Sequence, residues 1–466
     1  MRTAMLRYRA LPMLLLPLVS PAVPSPSPAP ESYFTLEERI AIVSFWGEPG
    51  RYQARPLGEE AGEGTWAARY TPEGSIWIRQ LYRLRRDGKV IPTKTPEADN
   101  EQQRRWDAWV EARVARDRWL AQTDARARNT DQLGREPATE KPDEPPKPGP
   151  MPRRLAEAMS APPAFYRATQ PYAHDIQFDD VLIEYRDHVG VPHKYAYYRY
   201  EKGVRSFGTK VADRGPEYIQ TLYERAGIPE TEQRVFAAVS LLEGGFDSVN
   251  TYDTGYVSVG FIQFASLSGG SGSLGQVLLR MKTDFPDQFQ NEFRRFGLEV
   301  TDEGVIVTMD PTTGAELVGP DANQRLIHDK RLIAVFQRAG QVSLEFNVSQ
   351  VLIAREQYYP DEEEIVIEHG GTEMRCLVKD IFRSEAGMAT LMDRKVNTGT
   401  LDPLAAYLHD LVKKTGITDL KDAAKYEWAL TKAMEYRENY LDSPTLSQPE
   451  RVELALALPD PPDGGG

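Results

Sequence analysis

LLEGGFDSVNTYDTGYVSVGFIQF, residues 241–264, is the stretch on which the reading of this chain turns, and its third residue is the difficulty. Upstream, TEQRVFAAVS carries Val235, Val239 and Leu242 at i, i+4 and i+7, which predicts a helix with a buried stripe. Thr231 is expected to cap that helix, with Glu232 in its first turn. Gly244 and Gly245 are expected to supply a left-handed stop. Glu243 then falls on the last turn, where the negative end of the helix dipole disfavours a second negative charge. That effect is worth only about 0.3–1 kcal/mol. Burial must therefore do most of the work if the carboxyl is to stay protonated near neutral pH.

The residues that follow predict a hairpin, with a turn at Asp253–Thr254–Gly255 between β-favouring flanks. Folded back beside the helix end, it would bring Asp253 and Ser258 towards Glu243. Cleavage of a glycosidic bond needs a protonated carboxyl to donate to the leaving oxygen. An inverting enzyme adds a base about 6.5–9.5 Å away that holds a water. Glu243 and Asp253 are candidates for that pair, with Ser258 orienting the water. Asp before Thr-Gly is also ordinary turn chemistry, so a purely structural Asp253 stays open.

Helix, terminal Glu, glycine exit, hairpin and VSVGFIQF together resemble the lysozyme superfamily. Phage-type lysozymes carry an acid one position nearer the Glu than Asp253 and a Thr where Ser258 stands. Lytic transglycosylases carry a Gly-Leu-Met-Gln-like motif after their Glu, and GFIQF (residues 260–264) is similar to it, although Gly244 stands where those enzymes have Ser. GMATLMDRKVNTG (residues 387–399) resembles the helix ending Asn-x-Gly of phage lysozymes and chitosanases, which closes the far side of the cleft. That likeness adds Asn397 to the site.

The resemblance implies an α+β, mostly α, lysozyme-like domain with a catalytic helix followed by a β-hairpin. It also implies a glycosidase without a cofactor. If Asp253 is structural, one Glu serves first as acid and then as base, and the substrate's own hydroxyl attacks to leave an anhydro product. Tyr252, Phe261 and Gln263 would then contact sugar by stacking and hydrogen bonding. Peptidoglycan is the expected substrate. The acidic balance, −13 over 466 residues, makes a chitosanase acting on a cationic polymer the alternative. A non-catalytic wall-binding protein that keeps the fold is the other class in play. The same charge argues against a nucleic-acid partner.

Outside this region the chain is organised by composition. Residues 1–22 read as an export signal, with three arginines and then LPMLLLPLV, too short to span a bilayer as a helix. A secreted, periplasmic or cell-envelope location follows, with no integral membrane segment, and the protein is read as a monomer. Residues 23–32 read as a Pro/Ser-rich tether and residues 33–128 as a small N-terminal domain holding six of the seven tryptophans. Those tryptophans read as core, with a sugar-binding face as the other use. Residues 129–163 read as a Pro-rich spacer, 164–440 as the lysozyme-like domain, and 441–466 as a disordered tail. Cys376 is the only cysteine and reads as structural. His174, His188 and His193 lack ligand spacing, so no metal is expected.

Overall fold

The computed structural model describes residues 32–57, 66–86, 96–134, 140–187 and 200–458. The proposed export signal, most of the tether, His188 and His193 lie outside the described residues. Those that are described form an α+β protein dominated by helices, with fifteen α-helices and five small antiparallel sheets. No helix among them is long and apolar enough to cross a membrane.

The centre is a pair of buried helices, Lys330–Val342 and Leu344–Tyr358. The sequence RLIAVFQRAGQVSLEFNVSQVLIAREQYY reads as one helical stretch. Ser343 divides it, because its hydroxyl accepts the Phe346 N–H and its extended backbone starts a second helix. The second helix packs against Pro216–Ala226 and Ser273–Asp284. Residues 298–318 form the three-stranded sheet Leu298–Val300, Ile306–Met309 and Glu316–Val318. The acidic run after Asp361 leads into the hairpin Glu364–His369 and Thr372–Leu377, turning through Gly370 and Gly371 at positive φ. Cys376 sits on it, buried, with its thiol pushed up to about 11 by desolvation, which suits a packing residue rather than a nucleophile.

The N-terminal part interleaves with the rest. Phe34, Ile42 and Trp46 enter the large core, and Trp46 donates its ring N–H to the Phe296 carbonyl. Strand Tyr52–Pro56 pairs with Tyr172–Gln177, which continues to Leu182–Arg186, and Ala67–Tyr70 pairs with Tyr166–Thr169. At this seam His174 bridges the Tyr52 hydroxyl (3.0 Å) and Asp187 (3.3 Å), and Asp187 also binds Arg69 at 3.0 Å. A second apolar cluster gathers Trp77, Trp106, Val110, Phe165 and Tyr166. These tryptophans serve as core, as the composition suggests.

Two segments differ from expectation. Helix Pro96–Leu133 runs past residue 128, and the Pro-rich residues 140–150 lie back along it instead of spacing domains apart. The ring N–H groups of Trp109 and Trp119 donate to the Gly149 and Pro142 carbonyls, each at 2.9 Å, and Arg116 pairs with Glu144. A chain with little internal hydrogen bonding is held here by donors from a neighbouring helix. The C-terminal stretch is also packed as far as residue 458. Leu446 is buried, Ser447 exchanges hydrogen bonds with Glu385, and the Ala457 N–H donates to Asp410.

Candidate active site

Helix Glu230–Ser240 buries Val235, Phe236 and Val239 completely and is pinned by two ion pairs, Glu232–Arg355 at 2.7 Å and Glu385–Arg234 at 2.6 Å. It begins one residue before Thr231, after Pro229, so Thr231 caps nothing. Its end is a turn over residues 241–243 in which the Glu243 N–H still reaches the Ser240 carbonyl at 3.1 Å. Gly244 and Gly245 are not left-handed. They are needed because other backbone comes close: a Cβ on Gly245 would stand 1.9 Å from the Thr209 carbonyl oxygen, and its N–H donates to the Phe207 carbonyl at 2.9 Å.

The stretch beyond is clamped by the central helix. Gln350, fully buried, donates to the Phe246 carbonyl at 3.0 Å and accepts the Phe261 N–H at 3.3 Å. Asp247 is buried and accepts from the Thr209 N–H at 2.8 Å and Arg214 at 3.2 Å. The expected hairpin forms as Val249–Asn250 with Ser258–Val259, extended by Phe264–Ala265 on one side and Arg205–Ser206 on the other.

Glu243 keeps 12% of its side chain exposed. Arg437 Nη1 lies 2.6 Å from its Oε1, and Asn397 Nδ2 approaches the same oxygen at 3.5 Å. Arg437 Nε also donates to Asp393 Oδ1 at 2.9 Å, and Asp393 is buried. Burial pushes the Glu243 carboxyl above its usual range, and Arg437 pulls it back only in part, while the Asp393 charge adds to the rise. The carboxyl is therefore held in a fixed orientation, with a small part of its surface open to solvent.

The structure places Asn397 beside Glu243 and adds Arg437 and Asp393, which sequence reading missed. Asp393 had a signal: it stands four residues before Asn397 on helix Glu385–Thr398, a carboxylate in an otherwise buried run, and its carbonyl accepts the Asn397 amide at 2.8 Å. Arg437 had none, since it follows the short helix Glu427–Met434 and reaches the site only through the tertiary fold.

The other candidates take structural places. Asp253 spends Oδ1 on the Gly255 N–H at 2.9 Å and Oδ2 on Asn250 Nδ2 at 2.8 Å, the closed geometry of an Asx turn. Ser258 is buried on its strand beside that turn, at a position where orienting a water would require an opening. Tyr252 is buried in the second apolar cluster, and Phe261, 1% exposed, packs against Phe246, Phe236 and Phe264. Neither ring offers a face to sugar: the N-terminal part covers Tyr252, with Arg79 also reaching Thr254, and the main core encloses Phe261. Gln263 directs its amide inward, to Ser248 Oγ at 2.7 Å and the Gly260 carbonyl at 3.1 Å.

The non-glycine residues at positive φ among the described residues are Tyr256, Gln263 and Leu267, all on the segment just past Glu243. Backbone strain of this kind, about 1–3 kcal/mol each, gathers where a site is being shaped. No group of three or more His, Cys, Asp or Glu side chains placed to hold a metal occurs among the described residues. Compared with protein-family models, curated proteins and solved structures, the chain matches none.

Proposed function

We propose that this chain is a lysozyme-like enzyme that cleaves the glycan strands of peptidoglycan, with Glu243 as the general acid. The observation that carries the reading is Glu243 itself: a partly exposed carboxyl at a helix end, raised by burial and oriented by Arg437 and Asn397. Glu243 donates its proton to the glycosidic oxygen as the C–O bond breaks. The carboxylate left behind is stabilised by Arg437 and then takes the proton of the attacking hydroxyl.

Asp253 is tied into its turn and Asp393 is buried against Arg437, which supports a single working carboxylate. The attacking hydroxyl then belongs to the substrate, and the product carries an anhydro end. Incubating the protein with purified peptidoglycan and identifying the new ends tests this. Anhydro ends support the single-acid route, and reducing ends return a second group to the mechanism. A second reading, a wall-binding protein without activity, is favoured by the 2.6 Å ion pair, which suits an ionised Glu243. Peptidoglycan bound but left uncut would establish it.

A further inference from the structure

Among the described residues, the aromatic side chains exposed as large hydrophobic groups are Phe207, 56% exposed, and Tyr436, 41% exposed. Every other aromatic ring described is buried or half-buried, so two exceptions in one neighbourhood call for a cause. Both adjoin Glu243. The Phe207 carbonyl accepts the Gly245 N–H, which fixes its backbone against the glycine exit. Tyr436 immediately precedes Arg437, which binds the Glu243 carboxylate. Leu241 and Leu242, on the turn itself, add exposed apolar surface between them in the chain's path.

Each ring carries a guanidinium. Arg205 Cζ lies 4.0 Å from the Phe207 ring centroid, and Arg394 Cζ lies 5.3 Å from that of Tyr436. Neither arginine meets a carboxylate among the described residues; Arg394 donates only to the Asp402 and Met434 carbonyls. Arg69, Arg214, Arg234, Arg338 and Arg355 hold carboxylates, whereas Arg205 and Arg394, like Arg118 and Arg383, are not neutralised by one among the described residues. Glu435 and Glu438, both exposed, flank Tyr436 in sequence, so the local charge is mixed and the two guanidiniums act at short range.

We propose that Phe207 and Tyr436 form a two-point stacking platform for the glycan strand at Glu243, and that Arg205 and Arg394 favour a strand whose attached peptides carry free carboxylates. An exposed ring with a guanidinium over one face leaves the other to a pyranose and places a cation near carboxylates carried by the same strand. The same arrangement disfavours a polymer of protonated amino sugars, so the site opposes chitosan even though the whole chain is acidic. This inference rests on the reading of Glu243 as the glycan-cleaving group, but binding tests it apart from cleavage.

The experiment is co-sedimentation of the full chain, in a Glu243→Gln background, with insoluble peptidoglycan, with the same material after amidation of its carboxyls, and with chitosan. Phe207→Ala with Tyr436→Ala should weaken peptidoglycan binding about fivefold or more. Arg205→Gln with Arg394→Gln should weaken it about two- to fivefold and abolish the preference over the amidated polymer. Thermal midpoints matching the parent guard against misfolding. Unchanged binding by the ring variants overturns the platform, and tighter binding to chitosan than to peptidoglycan overturns the charge selection. Ring-dependent binding with no cleavage by the Glu243 protein leaves the platform standing and sinks the catalytic reading. Cleavage with ring-independent binding does the reverse.

Discussion

Arg437 Nη1 lies 2.6 Å from Glu243 Oε1 while the other side of the same guanidinium holds Asp393. One cation thus spans a partly buried carboxyl and a fully buried one, and the two have different claims on it. Asp393 needs the charge to remain buried at all. Glu243, already raised by desolvation, is moderated by it.

Replacing Arg437 by Met should separate these roles. A general acid works only while protonated, so activity falls as pH rises through its pKa. Arg437 lowers that pKa, and its loss should move the alkaline limb of the pH–rate profile upward. Asp393 would be left buried with little compensation, at a cost of about 3–5 kcal/mol. Adding Asp393→Asn should recover much of that stability, read by denaturant titration, without restoring the original profile.

Asp253→Asn distinguishes turn from base. The amide oxygen can still accept the Gly255 N–H, so the turn should persist and the rate on peptidoglycan should stay within about threefold of the parent. A general base removed from the site would instead cost about 10²–10⁴-fold.

Gly245→Ala tests close approach. A methyl 1.9 Å from the Thr209 oxygen must push the Phe207–Thr209 backbone away. A loss of about 1–3 kcal/mol or more is expected in thermal or denaturant unfolding. Gly215→Ala, with open space around its Cβ and a φ of −55°, should cost far less.

Trp109→Phe and Trp119→Phe remove the ring N–H groups that hold residues 140–150. Each should cost about 1 kcal/mol. Limited proteolysis should then cut within 140–150 faster than in the parent, whereas cutting elsewhere should not change.

Much of the architecture around Glu243 was legible. The 3.6-residue stripe of Val235 and Val239 located the helix, and turn residues located the hairpin at 249–259. Motif likeness singled out Asn397, which the structure places 3.5 Å from Glu243. What local pattern could not supply was what would cover each surface. Tyr252 and Phe261 look like cleft aromatics until the N-terminal part and the central helix bury them. Pro-rich residues 140–150 look like a spacer because their own side chains cannot make a core, yet donors on the helix Pro96–Leu133 hold them. Glycines at 244 and 245 signal a left-handed stop by propensity, but a close strand demands glycine just as strictly.

The central claim is tested most directly by the rate at which the Glu243→Gln protein releases soluble fragments from purified peptidoglycan, set against the parent at matched binding. The amide keeps the shape and a hydrogen bond to Arg437's neighbourhood but has no proton to give. A fall of at least about 10²-fold, with the thermal midpoint unchanged or higher, is predicted. Equal release by parent and variant would contradict the account.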